Sequence, residues 1–170
     1  NSSMTAEEIT KYLNELNDEL RLINIKGEVS LFGGAVMCLV YDARPATKDV
    51  DAIFKPVTEI REAIKRIGVR HGLEENWFND SVKGYWAEHK ENVLFSLSNL
   101  TVFVPEPDYL LAMKSIAARD TTYDREDVKL LIEYLGITTS EEIFSIIEKY
   151  YSRNQIKPAT QYFIEEIFQK

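Results

Sequence analysis

Ile9, Leu13, Leu16, Leu20 and Ile23 recur at three- and four-residue steps behind Thr5 or Ser3 and the acidic pair Glu7 and Glu8. That period, with a capping residue and acids in its opening turn, predicts a first helix. After Gly27, Val29-Ser30-Leu31-Phe32 predicts a short buried strand ending at Gly33-Gly34. From Gly34 to about Asp42 the chain is apolar on all sides, as expected of a short helix buried almost all round. Polar and apolar positions alternate from Lys48 to Lys55, which predicts a second strand ended by Pro56. A helix follows over about 58–67, then a region around Trp77, Phe78, Tyr85 and Trp86 with no clear period. Residues 93–97 and 100–104 are β-rich and separated by Ser98-Asn99, as in a hairpin or two sheet strands. Beyond Pro105 and Pro107 the periods are helical throughout, over 108–119, 124–135, 140–151 and 160–169. Strands mixed with helices, then helices alone, give an α+β class: a core over 1–106 and a C-terminal helical bundle over 107–170 packed on it.

Composition fits one globular chain of 170 residues, with 20 Lys and Arg against 28 Asp and Glu. The formal charge of −8 argues against a protein that coats nucleic acid by bulk electrostatics. Residues 55–90 depart from this balance, with seven basic and six acidic side chains, and Lys65, Arg66 and Arg70 lie close together there. That segment is the candidate surface for an RNA. The single Cys38 excludes an internal disulfide and a cysteine-rich zinc site. No apolar run is long enough to span a bilayer and no secretory signal stands out, so a cytoplasmic, membrane-free setting is expected. Asn1-Ser2-Ser3 ahead of Met4 reads as an expression remnant.

The candidate chemistry lies between Gly33 and Asp51. Two glycines where a strand turns into a helix leave backbone N–H groups open to an anion such as a phosphate. Asp49 and Asp51 stand two apart, so an extended chain projects them from one face together with Thr47, while Val50, Ala52 and Phe54 face the core. Adjacent carboxylates repel each other unless a cation sits between them. Mg²⁺ suits such oxygens, because it binds through one or two carboxylates plus substrate phosphates. Lys114 falls on the apolar face formed by Leu110, Leu111, Met113, Ala117 and Ala118. A lysine there either snorkels to water or carries its amine to a carboxylate and phosphate site. Asp124 and Asp127 open the next predicted helix, where Asp124 can serve as an N-cap. His71 and His89 have no metal-ligand spacing, and Cys38 reads as a core thiol.

The string G-G-A-V-M-C-L-V-Y-D-A-R-P-A-T-K-D-V-D resembles the first motif of nucleotidyltransferases related to bacterial abortive-infection toxins, within the polymerase-β-like superfamily. The matching positions are Gly33, Gly34, Arg44, Thr47, Asp49 and Asp51. The run from Pro105 to Lys114, followed by Arg119 and Asp124-Arg-Glu-Asp127, is similar to their later Lys and Asp motifs. Trp77-Phe78-Asn79 resembles a short motif of one uncharacterised branch. The resemblance implies a small mixed sheet flanked by helices. It further implies Mg²⁺, in a one- or two-ion site, on Asp49 and Asp51 with Asp124 as a further ligand. Gly33, Gly34, Arg44 and Thr47 would bind the nucleotide, Lys114 would assist the phosphates, and Asp127 would act near the base and metal. Two departures accompany it. Gly34 replaces the serine many relatives carry, and residues 100–104 lack the carboxylate often found on a later strand.

The function expected is therefore Mg²⁺-dependent transfer of a nucleoside monophosphate from an NTP, such as ATP, to an RNA 3′ end or a protein hydroxyl. The resemblance also implies a toxin–antitoxin or phage-defence setting with a cognate toxin or antitoxin as partner. The alternative is a catalytically inactive domain of the same fold, used for nucleotide binding or protein interaction.

Overall fold

The computed structural model describes residues 3–117 and 122–169. The chain is α+β and divides into two compact units, Asn1–Lys83 with Glu91–Val104, and Gly84–Lys90 with Pro105–Lys170.

The first unit runs β1 (Met4–Thr5), α1 (Ala6–Leu22), β2 (Gly27–Phe32), α2 (Gly33–Leu39), β3 (Ala46–Thr47), β4 (Val50–Lys55), α3 (Val57–His71), β5 (Phe78–Asn79), β6 (Glu91–Ser96) and β7 (Leu100–Pro105). Helix α1 starts in a capping box, with the Glu8 N–H donating to Thr5 Oγ1 and the Thr5 N–H to Glu8 Oε1. Its buried face carries Ile9, Tyr12, Leu13, Leu16 and Leu20. Helix α3 runs four residues beyond the expected end and stops at Gly72, whose left-handed φ of 65° caps it.

Five strands form one sheet in the order β5-β4-β2-β7-β6. Strand β2 pairs antiparallel with β4 and parallel with β7, and β4 pairs parallel with β5. Val29, Leu31, Val50, Ala52, Leu100 and Val102 are all essentially inaccessible and form one packed face. Their partners in the alternation, such as Ser30, Ile53, Thr101 and Phe103, are half-buried. Strands β6 and β7 are neighbours joined by three residues, and Leu97 N–H closes the turn on the Leu100 carbonyl at 2.8 Å. So short a connection admits only the antiparallel hairpin. Asn17 of α1 holds that turn, accepting from Asn99 N–H at 2.7 Å.

Three strands, β1, β3 and β5, have no counterpart in the sequence pattern, each being only two residues long. Strands β1 and β3 form a separate two-stranded sheet. Their pairing interrupts the expected strand over 48–55, which begins only at Val50. Trp77 fixes β5: its indole N–H donates to the Ile64 carbonyl of α3, and its own carbonyl accepts from Val50 N–H at 2.7 Å.

The second unit contains α4 (Pro107–Ala117), α5 (Thr122–Leu135), α6 (Ser140–Glu148) and α7 (Pro158–Ile167). Helix α4 packs against α5 and α6, and α6 against α7. The segment Gly84–Lys90 belongs here because it is tied to Tyr109 of α4. His89 stacks on the Tyr109 ring at 3.7 Å, and Ala87 N–H donates to the Tyr109 hydroxyl. No helix among the described residues is long and apolar enough to cross a membrane.

The basic stretch of α3 is turned onto α1. Arg66 contacts Glu19 at 2.7 Å, Arg70 contacts Glu15 and Glu19 at 2.6 and 2.9 Å, and His71 contacts Glu15 at 2.8 Å. These contacts give Arg66 and Arg70 acidic partners on α1, while both side chains remain about half exposed. The Arg66 hydrogen bond, against an opposing burial effect and helped by Arg70, holds the Glu19 carboxyl below the usual glutamate range. Burial works to raise Glu15, but His71 and Arg70 outweigh it and leave that carboxyl lowered too. Depressed folded-state values mean stability that is present above the unfolded glutamate pKa and lost as pH falls through the folded one. Urea midpoints should therefore drop as pH falls below the ordinary glutamate range, and Glu19→Gln should flatten that part of the profile.

Candidate functional site

The register of β2 on β4 places Phe32 opposite Asp51. The next residue, Gly33, opens α2 with φ +63°, and a Cβ there would stand 2.5 Å from Asp51 Oδ2. A left-handed backbone and a carboxylate in the space of a side chain both require glycine. At Gly34 a Cβ would stand 2.5 Å from Thr47 Oγ1 and 2.9 Å from an Arg44 guanidinium nitrogen. The backbone of Gly33-Gly34, the Asp51 carboxylate, the Thr47 hydroxyl and the Arg44 guanidinium thus meet at one corner of the sheet. Five residues of the first motif are brought together there by the loop between α2 and β4.

Asp49 joins through its main chain, whose carbonyl accepts from Thr47 Oγ1 at 3.2 Å. It directly precedes β4, and both Asp49 and Asp51 are half-buried while Val50 between them is fully enclosed. Alternation about Val50 sends the two carboxylates away from the core. Thr47 does not share their strand as expected. It lies on β3, opposite Met4 of β1, and its 4 % exposed side chain packs at Gly34. The physical reason is the two-residue β1–β3 ladder, which takes Thr47 out of line with Asp51.

Among the described residues no three His, Cys, Asp or Glu side chains gather into a metal cage. The corner instead holds the Asp51 carboxylate against Gly33, and the Thr47 hydroxyl and Arg44 guanidinium against Gly34. The space beside the Gly33 Cα is taken by the Asp51 carboxylate, whose hard oxygens are of the kind that Mg²⁺ prefers.

Asn79 closes the Trp77-Phe78-Asn79 stretch. Strand β5 sets Asn79 in parallel register with Asp51. Its amide is spent on the following turn, accepting from Ser81 N–H and Oγ and donating to the Asn76 carbonyl.

In the second unit, Lys114 is 8 % exposed, as its position on an apolar face implied. Its amine does not snorkel to bulk water. It lies 2.8 Å from Asp127, whose side chain is 3 % exposed, and 3.9 Å from Asp124. Asp124 sits within the first turn of α5 rather than before it, since the helix begins at Thr122. Arg119 and Ala118 lie outside the described residues. Cys38 is a buried thiol of α2.

Residues 7–135 match the model of a family described as "Nucleotidyltransferase of unknown function (DUF6036)". No curated protein and no solved structure matches the chain.

Gly33→Ala should cost about 1–3 kcal/mol in urea unfolding, from positive φ and the clash with Asp51. Gly34→Ala carries no positive-φ strain but would press on the buried Thr47, and should also destabilise the first unit. In the second unit, Lys114→Met should cost about 3–5 kcal/mol by leaving the enclosed Asp127 charge without its cation. The double variant Lys114→Met/Asp127→Leu should recover much of that loss in the same measurement.

Proposed function

Because the chain belongs to this nucleotidyltransferase family of unknown function, we propose that it transfers a nucleoside monophosphate from an NTP such as ATP to an acceptor hydroxyl and releases pyrophosphate. The observation that carries this reading is the convergence of Asp51, Thr47 and Arg44 on the Gly33-Gly34 backbone. In the transfer, the acceptor oxygen bonds the α-phosphorus as the bond to the pyrophosphate oxygen breaks. The hydroxyl proton passes to an Asp carboxylate at the site. Gly33 and Gly34 present backbone without side chains, so phosphate oxygens can approach closely. Arg44 supplies fixed positive charge beside them, and Thr47 holds the Asp49 main chain in place.

Asp49 and Asp51 would hold Mg²⁺, one ion or two. When bound, the metal neutralises and aligns the phosphates. Lys114 is carried as a phosphate-assisting cation and Asp127 as the carboxylate that fixes its amine, which the 2.8 Å contact supports. The acceptor class is an RNA 3′ end or a protein hydroxyl, in a cytoplasmic toxin–antitoxin or phage-defence setting.

A second reading, an inactive nucleotide-binding or protein-interaction domain, is favoured by one feature. Strand β7 has no carboxylate, and it borders β2 rather than the Asp51 strand.

The protein, incubated with each labelled NTP, Mg²⁺, total RNA and lysate, should transfer label to RNA or to protein. Asp51→Asn should reduce the transfer by about a hundredfold or more. Mg²⁺-dependent NTP binding without transfer would favour the inactive domain, and absence of NTP binding would sink the enzyme reading.

A further inference from the structure

The β2–β4 ladder ends at the pair Phe32 and Asp51, so Val50 and Asp49 lie beyond it. The main chain between the two site acids is therefore held from elsewhere. Val50 N–H donates to the Trp77 carbonyl at 2.7 Å, and the Asp49 carbonyl accepts from Thr47 Oγ1 at 3.2 Å. Strand β5 continues the first of these contacts, setting Phe78 beside Val50 and Asn79 beside Asp51.

Two residues make too few contacts of their own to fix β5, and both its flanks are fastened to α3. On one flank the Trp77 indole N–H donates to the Ile64 carbonyl at 3.2 Å. The same ring fills the place of a side chain at Gly68, where a Cβ would stand 2.8 Å from Trp77 Nε1. On the other flank Asp80 meets Arg61 at 3.1 Å. Trp77 is 4 % exposed and packs edge-on against Tyr12 and Phe78. A tryptophan that only filled the core would need no particular main-chain partner. Trp77 differs because its ring, set on α3, places the carbonyl that receives the N–H between Asp49 and Asp51.

We propose that Trp77 is a positioning residue for Asp49 and Asp51: by fastening β5 to α3 it fixes the main chain between the two acids, and so the spacing of their carboxylates. This rests on the reading of that pair as the Mg²⁺-binding acids. Trp77 acts through the Val50 N–H and not on metal or phosphate itself.

The test uses the full chain as Trp77→Phe, Gly68→Ala and the double variant, with circular dichroism to confirm folding. Leu100→Ala, opposite Gly27 at the far end of β2, is the core control. Without metal, Trp77→Phe should speed exchange of the Val50 amide about tenfold beyond any change shared by the β4 amides inside the β2 ladder. It should also move the NMR signals of the Asp49 and Asp51 carboxyl carbons. Leu100→Ala should lower the unfolding midpoint and leave those signals in place. With ATP present, the Mg²⁺ concentration for half-maximal binding should rise about tenfold in Trp77→Phe. Gly68→Ala should act likewise, since its methyl displaces the indole, and should have less effect in the Trp77→Phe background, where the smaller ring leaves room. Unmoved carboxyl signals and Val50 exchange in folded Trp77→Phe overturn the proposal. So does an unchanged Mg²⁺ requirement in a protein that binds ATP with Mg²⁺. If Trp77→Phe does not fold, Gly68→Ala decides by the same readings. A wild type that binds no ATP with Mg²⁺, but whose Asp49 and Asp51 signals answer to Trp77, removes the nucleotidyltransferase reading alone and leaves the positioning role standing.

Discussion

The close approach of the Asp51 carboxylate to the Gly33 backbone is the constraint around which the first unit is arranged. It exists because β2 and β4 pair with Phe32 opposite Asp51. A slip of one residue would turn Val50, Ala52 and Phe54 outward and the carboxylates inward, so burial of those three side chains holds the register. Trp77 adds a second restraint by binding both Val50 N–H and the Ile64 carbonyl. The chain can then afford a left-handed residue at the start of α2, where only a missing side chain lets the carboxylate sit. Thr47 and Arg44, delivered by the loop that follows α2, complete the same corner at Gly34.

The acidity of the chain takes on meaning through where each acid is placed. Glu15 and Glu19 bind the cations of α3, so part of the negative charge is internal wiring between two helices. Asp124 and Asp127 surround the Lys114 amine in the second unit. A buried pair of this kind contributes little net stability, because desolvation offsets the attraction, yet each member depends strongly on the other. Asp51 differs from all of these in lying against the backbone of Gly33. Residues 92–105 of the β6–β7 hairpin are the opposite case, a stretch without a charged side chain.

Much of this organisation is written in local pattern. The capped, periodic α1, the alternating β4, the β6–β7 hairpin with its Ser98-Asn99 turn and the four C-terminal helices all follow from spacing and turn chemistry, with ends displaced by a few residues. Whereas the first motif as a set, Arg44 included, rests on the resemblance, the burial of Lys114 on an apolar face follows in the same way. Each is a property of neighbours within a few positions of one another, where backbone geometry and hydrophobic period act directly.

Other features arise only when distant segments meet. The two-residue strands β1, β3 and β5 have too few residues to show a period, and they exist because a partner strand supplies their hydrogen bonds. Thr47 therefore lies on β3 beside Gly34 instead of in line with Asp51, and Asn79 comes into register with Asp51 across 28 positions of sequence. The acidic partners of Arg66 and Arg70, Glu15 and Glu19, come from α1, about fifty positions away in sequence. The amine of Lys114, which could have run to solvent, is captured by Asp127 thirteen residues away. Hydrophobic period depends on a side chain's own helix or strand, so sequence alone settles which residues turn inward. Charge partners depend on what is packed opposite, and that is decided only by the assembled fold.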